Sequence, residues 1–259
     1  MELRKALIES LQRLKNDFGA VSIKAEFEVE GSRKDELIML REYVENVGMR
    51  LIIKIGGCEA IHDIDQCKLL DADGIMAPMI ETAFAMDKFR GAVTKVCGAD
   101  TQMERIINAE TITCLDNFDE ILSHGWNFLT GVTVGRSDLA ASMGVPRAEL
   151  EGKAVFEATK AFCTKAQNAG LTTNFGGNIG IQSVPFILSI GDFIDRFETR
   201  KVIMEKNGNA EFLKAAIAHA LKFELLYLQM KSQYYSSMAR EDSMRISRLT
   251  EQLNSVDMV

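Results

Sequence analysis

Short apolar runs alternate with longer amphipathic runs along most of this chain. Seven of the short runs have the length and residue types of buried strands, and an amphipathic run follows most of them. The predicted strands are residues 21–27, 51–57, 73–78, 105–111, 127–135, 171–177 and 192–198. Strands that alternate with helices across short connections predict an α/β fold, with parallel strands covered by helices.

This alternation fits a closed barrel or an open doubly wound sheet. Residues 201–204, or a segment before residue 21, could add an eighth strand. The count favours a (β/α)8 TIM barrel, and 259 residues is a usual length for one. No stretch rich in Pro, Gly or Ser interrupts the chain, so we predict one domain over residues 1–259.

Residues 209–259 are predicted to form a helical extension at the C-terminal end of this domain. Five large apolar residues lie close together there: Phe223, Leu225, Leu226, Tyr227 and Leu228. A helix this apolar needs a partner surface. We therefore expect the extension to pack on the barrel, or to be packed or exchanged between subunits.

Charge and composition argue against several classes of protein. The formal net charge of −7 and the lack of a basic stripe disfavour nucleic-acid binding. No run approaches the ~20 apolar residues that cross a bilayer, and the first residues lack the apolar core of a signal peptide. The five cysteines form no C-x-x-C pair, which predicts reduced, mostly buried thiols. We therefore expect a cytoplasmic protein that binds neither nucleic acid nor membrane.

Two carboxylates follow neighbouring strands at the end where (β/α) barrels place their chemistry. Glu110 ends one apolar strand, and Asp138 follows the next strand after a glycine. Adjacent strands lie about 4.8 Å apart, so both side chains could reach one ion. Oxygen ligands of this kind suit Mg²⁺ or Mn²⁺. From spacing alone, Glu110 could instead complement the dipole of the next helix, and Asp138 could be a helix N-cap.

Three segments resemble, in order, the HpcH/HpaI aldolase and citrate lyase family. They are PMIETAFAM (78–86), INAETITCLDNFDEIL (107–122) and VTVGRSDLAASMG (132–144). The family usually shows an I-E-T segment and then a G-P-x-D-L-S-x-S-L-G-like segment. The resemblance covers roughly residues 50–200. It implies a metal-dependent TIM barrel in which Glu110 and Asp138 are the two protein ligands of the metal.

The resemblance implies a class II, divalent-metal-dependent aldolase or lyase (EC 4.1-like). Its substrate would be a small anion, pyruvate or a related 2-oxo acid, and the metal would stabilise the enolate. Two alternatives stay open. One is a citrate-lyase- or citrate-synthase-like enzyme acting on a carboxylic acid or acyl-CoA thioester, and the other is a non-catalytic barrel subunit. Since family members usually form oligomers, we expect a homo-oligomer.

The chain departs from the family pattern on two early strands. Lys54 stands where the family usually has an arginine, and lysine lacks the planar fork of arginine. No histidine ends a strand. Strand alternation instead places Lys24, Glu26 and Glu28 on one face, as an acid–base cluster or as a structural salt-bridge layer.

A third departure is Gly135-Arg136, where the family commonly has Gly-Pro. Arg136 could hold a substrate carboxylate at the barrel mouth or be a solvated loop residue. We predict three catalytic residues: Lys54, Glu28 and Arg136. We predict five substrate-binding residues: Lys54, Arg136, Ser137, Lys24 and Arg200.

Overall fold

Eight strands close into a single barrel in the computed structural model, which describes residues 2–256, with side chains through residue 251. The strands are β1 (Ala20–Glu26), β2 (Arg50–Lys54), β3 (Gly74–Ala77), β4 (Glu104–Ala109), β5 (Gly131–Gly135), β6 (Thr172–Gly176), β7 (Arg196–Glu198) and β8 (Val202–Glu205). They are hydrogen-bonded in chain order around the barrel. The predicted barrel is therefore confirmed, with strands that are mostly shorter than predicted.

The eighth strand comes from the predicted segment but runs in an unexpected direction. Strands β1 to β7 are parallel neighbours, whereas β8 is antiparallel to both β7 and β1. Only residues 199–201 separate β7 from β8, which leaves no room for a crossover helix. Consequently, this turn lies at the mouth of the barrel where the seven parallel strands end.

Ten α-helices accompany the strands among residues 2–256. They are α1 (Glu2–Phe18), α2 (Lys34–Asn46), α3 (Ile61–Leu69), α4 (Ala83–Cys97), α5 (Ile112–Asp116), α6 (Phe118–His124), α7 (Arg136–Ser142), α8 (Lys153–Asn168), α9 (Val184–Ile190) and α10 (Ala210–Val256). Within the described residues, the predicted C-terminal helical extension is the single long helix α10, and residues 257–259 of that prediction lie outside them. Its first half packs against α1, where the ring of Phe18 contacts Phe212 and His219.

Inside the barrel, an apolar layer lies beneath a polar one. The apolar layer consists of Ile52, Met76, Ile106 and Ile203, all buried. Side chains two residues apart on a strand share a face. Lys54 and Asn108 therefore follow Ile52 and Ile106 as the next inward positions toward the C-terminal ends of their strands. The inward side chains thus change from apolar to polar along the strands, which places the polar groups at one mouth of the barrel.

All five cysteines are unpaired in the described structure, and Cys67, Cys114 and Cys163 are buried. Burial raises the pKa of the Cys114 and Cys163 thiols to about 12. These findings agree with the prediction of reduced, mostly buried thiols. In the part of the chain that the structure describes, no helix has the length and apolar character needed to cross a membrane.

Candidate active site

A cavity of about 450 Å³ opens at the mouth where the parallel strands end. Residues at or just after the ends of β1, β2, β4, β5, β6 and β7 line it, together with two residues of α10. Its carboxylates are Glu26, Glu110, Asp138, Glu198 and Glu224. Its cationic side chains are Lys24, Lys54, Arg147 and Arg200. With five carboxylates against four cations, the lining carries a formal charge of −1.

Glu110 follows β4 and is 1% exposed. Its Oε2 accepts a hydrogen bond from Asn108 Nδ2 at 2.8 Å and lies 3.6 Å from Lys54 Nζ. Its Oε1 accepts the backbone N–H of Met79 at 3.2 Å. Met79 has a φ of +53°, a left-handed conformation that is uncommon for a residue other than glycine. The Glu110 carboxylate is therefore fixed by groups from three strands or strand-end loops.

Asp138 lies in the first turn of α7, is exposed, and lines the same cavity. The N-cap of this helix is Gly135, so the alternative interpretation of Asp138 as an N-cap is wrong. A methyl group at Gly135 would come within 2.7 Å of Glu110 Oε2. Glu110 thus lies against Gly135, the N-cap residue of α7, beside the turn that carries Asp138.

The donor atoms at this edge fit a divalent cation. Asn108 Nδ2 is bound to Glu110, which leaves the buried Asn108 Oδ1 without a hydrogen-bond partner in the described structure. Within the described residues, no group of three or more His, Cys, Asp or Glu side chains is placed to hold a metal ion. Mg²⁺ is usually held by one or two carboxylates, with water and substrate oxygens completing its shell. The carboxylates of Glu110 and Asp138, with the amide oxygen of Asn108, are oxygen donors of that kind.

A second cluster of charged side chains lines the cavity, with members on β1 and β7. Lys24 forms a buried ion pair with Glu198 and lies 3.7 Å from Glu26 Oε1. Asn174 Nδ2 donates to Glu198 Oε2 at 2.6 Å and to Thr133 Oγ1 at 3.1 Å. Burial acts to lower the pKa of Lys24, but the attraction of Glu198, Glu26 and Glu30 outweighs it and leaves the pKa above its ordinary value.

Two of the predicted site residues do not line this cavity. The Glu28 side chain is exposed and lies against Gly56, because β1 ends at Glu26 and strand alternation does not continue beyond it. Arg136 is completely buried, and its side chain turns away toward β6 and Glu151. For these two residues, the structure corrects the predicted positions at the mouth.

The remaining predicted residues do line the cavity: Lys24, Lys54, Glu110, Ser137, Asp138 and Arg200. Arg200 lies in the β7–β8 turn, where its Nε donates to Glu30 Oε1 at 3.2 Å. Asn108, Thr133 and Arg147 also line the cavity and were not predicted from the sequence. Asn108 and Thr133 each stand two residues before a residue at a strand end that lines the cavity, so strand alternation was a usable signal for both. Arg147 begins a short 3₁₀ helix, Arg147–Glu149, after α7 and carried no such signal.

Comparison with known proteins finds relatives by family and by fold. The sequence model of the HpcH/HpaI aldolase/citrate lyase family matches residues 35–175, more than half of the chain. Comparison with curated protein sequences finds no match.

Several solved structures are similar at low sequence identity. An HpcH/HpaI aldolase from Desulfitobacterium hafniense DCB-2 is 14% identical with a TM-score of 0.58, over 81% of this chain and 94% of that one. An HpcH/HpaI aldolase/citrate lyase family protein from Burkholderia cenocepacia J2315 is 12% identical with a TM-score of 0.59, over 90% and 99%. The citrate synthase SbnG is 14% identical with a TM-score of 0.57, over 86% and 98%. At these identities the likeness concerns the fold.

Proposed function

The chain belongs to the HpcH/HpaI aldolase/citrate lyase family, and from that premise we propose that it is a divalent-metal-dependent carbon–carbon lyase acting through the enolate of pyruvate or a related 2-oxo acid. Family membership supports a lyase-type function. One observation carries the finer proposal: Glu110 and Asp138 line one cavity from the ends of consecutive strands, with the Lys54 ammonium beside Glu110.

The charge of the cavity supports a bound cation. The lining carries a formal charge of −1, and a 2-oxo acid is itself an anion at neutral pH. Like charges in a partly enclosed cavity repel strongly, because few water molecules screen them. A divalent cation held by Glu110 and Asp138 would change the formal charge of the cavity to +1. Metal and substrate are therefore proposed to bind together.

When bound, the metal would supply Lewis-acid chemistry, polarising the 2-oxo group and stabilising the negative charge of the enolate. Lys54 is proposed to bind the substrate carboxylate or 2-oxo oxygen. Its ammonium lines the cavity, and its one ion-pair partner within residues 2–251 is Glu110, at 3.6 Å. Asn108 orients Glu110 through the hydrogen bond to Oε2.

Glu26 is the side chain that we propose to move the proton at the substrate carbon. Both carboxylate oxygens of Glu198 are already engaged, one by Lys24 and the other by Asn174. Glu26 lines the same cavity and is buried, and among the described residues its side chain has only the long 3.7 Å contact to Lys24 Nζ. It is therefore the carboxylate of this group that is available to accept a proton. Glu26 takes the place that strand alternation had suggested for Glu28.

The test is exchange of the pyruvate methyl protons with ²H₂O, followed by NMR with Mg²⁺ or Mn²⁺ present. We expect exchange that EDTA abolishes, and that Glu110→Gln or Asp138→Asn reduces by about 100-fold or more, as removal of an electrostatic stabiliser does. Glu59→Gln is the matched control, because Glu59 pairs with Lys88 outside the cavity.

The same experiment separates the alternatives. Exchange at the methyl group of acetyl-CoA, but not of pyruvate, would favour a citrate-synthase-like or citrate-lyase-like enzyme. The absence of exchange with both compounds and both metals would contradict the enolate proposal and favour a non-catalytic subunit.

A further inference from the structure

Arg136 is a fully buried arginine at the junction between β5 and α7, two residues before Asp138. A buried charge is costly unless other groups compensate it closely. Because Arg136 lies outside the cavity lining, substrate does not compensate it there. The groups that do compensate the charge of Arg136 show which segments of the chain this side chain holds in place.

Those groups come from the backbone beside the cavity and from one carboxylate. Arg136 Nε donates to Gly176 O at 3.2 Å, and Nη2 donates to Gly177 O at 3.1 Å. Nη1 donates to Glu151 Oε2 at 2.8 Å. The guanidinium also lies over two aromatic rings that pack against each other, 5.0 Å from the centre of Phe175 and 4.3 Å from that of Phe186. The planar fork of arginine makes these contacts simultaneously, which a lysine could not do.

The backbone segment whose carbonyls accept hydrogen bonds from Arg136 also lines the cavity. Gly176 and Gly177 line the cavity, and Gly177 has a φ of +91°. A methyl group at Gly177 would lie 2.6 Å from the backbone nitrogen of Ser137, so the loop after β6 is in close contact with the first turn of α7. That turn also carries Asp138.

Glu151 is held as well, because Ser183 Oγ donates to its Oε1 at 2.7 Å. One buried guanidinium therefore joins the start of α7, the loop after β6 and the segment before α8. We infer that Arg136 is a positioning residue that fixes the Asp138 turn against the Gly176–Gly177 wall. This inference rests on the proposed function for its metal, but the contacts themselves need no metal.

The first test is Mn²⁺ binding by electron paramagnetic resonance, comparing wild type with Arg136→Lys. The variant keeps the positive charge but loses the planar guanidinium, which donates several hydrogen bonds at once. We expect the dissociation constant of Mn²⁺ to rise about 10-fold to 100-fold, as for other residues that orient metal ligands. At saturating Mn²⁺ the pyruvate exchange rate should stay within about threefold of wild type, because Arg136 does not touch substrate.

The matched control is Arg105→Lys. Arg105 also binds backbone carbonyls, those of Phe128, Thr101 and Met103, but at the opposite end of β4. Its substitution should leave the Mn²⁺ dissociation constant unchanged. Glu151→Gln is the second variant, chosen in case Arg136→Lys fails to fold. Its side chain is 31% exposed, and the variant should raise the dissociation constant in the same direction.

Hydrogen exchange of the metal-free protein tests the inference independently of the proposed function. In Arg136→Lys, amides of residues 136–139 and 176–179 should exchange at least about tenfold faster, while those of β1 to β3 stay protected, because the opening is local. Unchanged exchange at both segments would overturn the positioning role. A loss of rate at saturating Mn²⁺ with unchanged affinity would also overturn it, since Arg136 would then act on substrate. Wild-type protein that binds no Mn²⁺ would contradict the proposed function alone.

Discussion

The carboxylate of Glu110 lies directly over the backbone of Gly135. A methyl group at Gly135 would come within 2.7 Å of Glu110 Oε2 and 3.0 Å of Glu110 Cβ. Such contacts require the glutamate or the strand to shift. The absence of a side chain at the end of β5 therefore lets the carboxylate from β4 lie beside the helix turn that carries Asp138.

Gly135→Ala should displace Glu110 and weaken metal binding. We expect the dissociation constant of Mn²⁺ to rise about 10-fold or more, because the orientation of a ligand is disturbed. Gly57→Ala is the control, since a methyl group at Gly57 would have no atom within 4 Å beyond those of its chain neighbours. Titration with Mn²⁺ measures both variants. Wild-type affinity in Gly135→Ala would show that Glu110 is not a ligand or that its contact with Gly135 relaxes freely.

Lys54→Gln should raise the KM for pyruvate in the exchange assay. Its ammonium lines the cavity beside Glu110, and a hydrogen bond to a charged group contributes about 1.5–3 kcal/mol, or about 10-fold to 100-fold. Lys54→Arg retains the positive charge, so its KM for pyruvate should rise less than that of Lys54→Gln. A lower kcat with an unchanged KM in Lys54→Gln would argue that Lys54 acts on the transition state rather than on substrate binding.

Strand–helix alternation predicted an α/β fold with parallel strands, because a strand followed by an amphipathic helix has few ways to bury both, and the strand count then favoured the barrel over an open sheet. It did not predict the direction of β8. An apolar strand of four residues carries no signal of direction, and the turn at residues 199–201 decides it by being too short for a crossover. That turn is also what brings Arg200 to the cavity.

Placement of the site residues was predictable only where strand geometry governs them. Lys24 lies within β1, Lys54 ends β2 and Glu110 follows β4, and all three line the cavity because inward positions alternate along a strand. Glu28 and Arg136 stand just beyond strand ends, where loop and helix geometry set the direction of the side chain. The sequence contains no local signal that Arg136 donates hydrogen bonds to Glu151 and to two glycine carbonyls. The metal-binding role of Glu110 and Asp138 stays a prediction.

Lys24→Met should destabilise the fold strongly. The substitution leaves Glu198, which is 3% exposed, without its cation, and removing one partner of a buried pair costs about 3–5 kcal/mol. Lys24→Met/Glu198→Gln should recover part of that loss, because Glu198 no longer carries an uncompensated charge, although Glu26 still loses its contact with Lys24. Urea unfolding of the four proteins, including Glu198→Gln, gives the coupling energy. Additive effects of the two single substitutions would contradict a coupled pair.

The Lys24 pair also predicts the behaviour of the protein at alkaline pH. The pKa of Lys24 in the folded protein is raised above its ordinary value of 10.5. Its stabilising contribution is therefore complete below pH 10.5 and is lost as the pH rises through the folded pKa. The stability difference between wild type and Lys24→Met should be constant from about pH 8 to 10 and shrink above that range. A difference that already shrinks below pH 9 would mean that the pair is weaker than its geometry indicates.

The end of α10 is predicted to be covered by a second copy of the chain. Lys231 and Tyr235 still contact Glu36, but every side chain from 236 to 251 is exposed. That segment, about 24 Å long, carries Met238, Met244, Ile246 and Leu249 in the open, and an isolated helix of this length is marginal in water. We expect light scattering at micromolar concentration to give a homo-oligomer that Ile246→Glu/Leu249→Glu dissociates. Ser247→Glu, on another face of the helix, should leave the assembly intact. A wild-type monomer whose circular dichroism retains the full helix would contradict this prediction, because the helix would then need no partner.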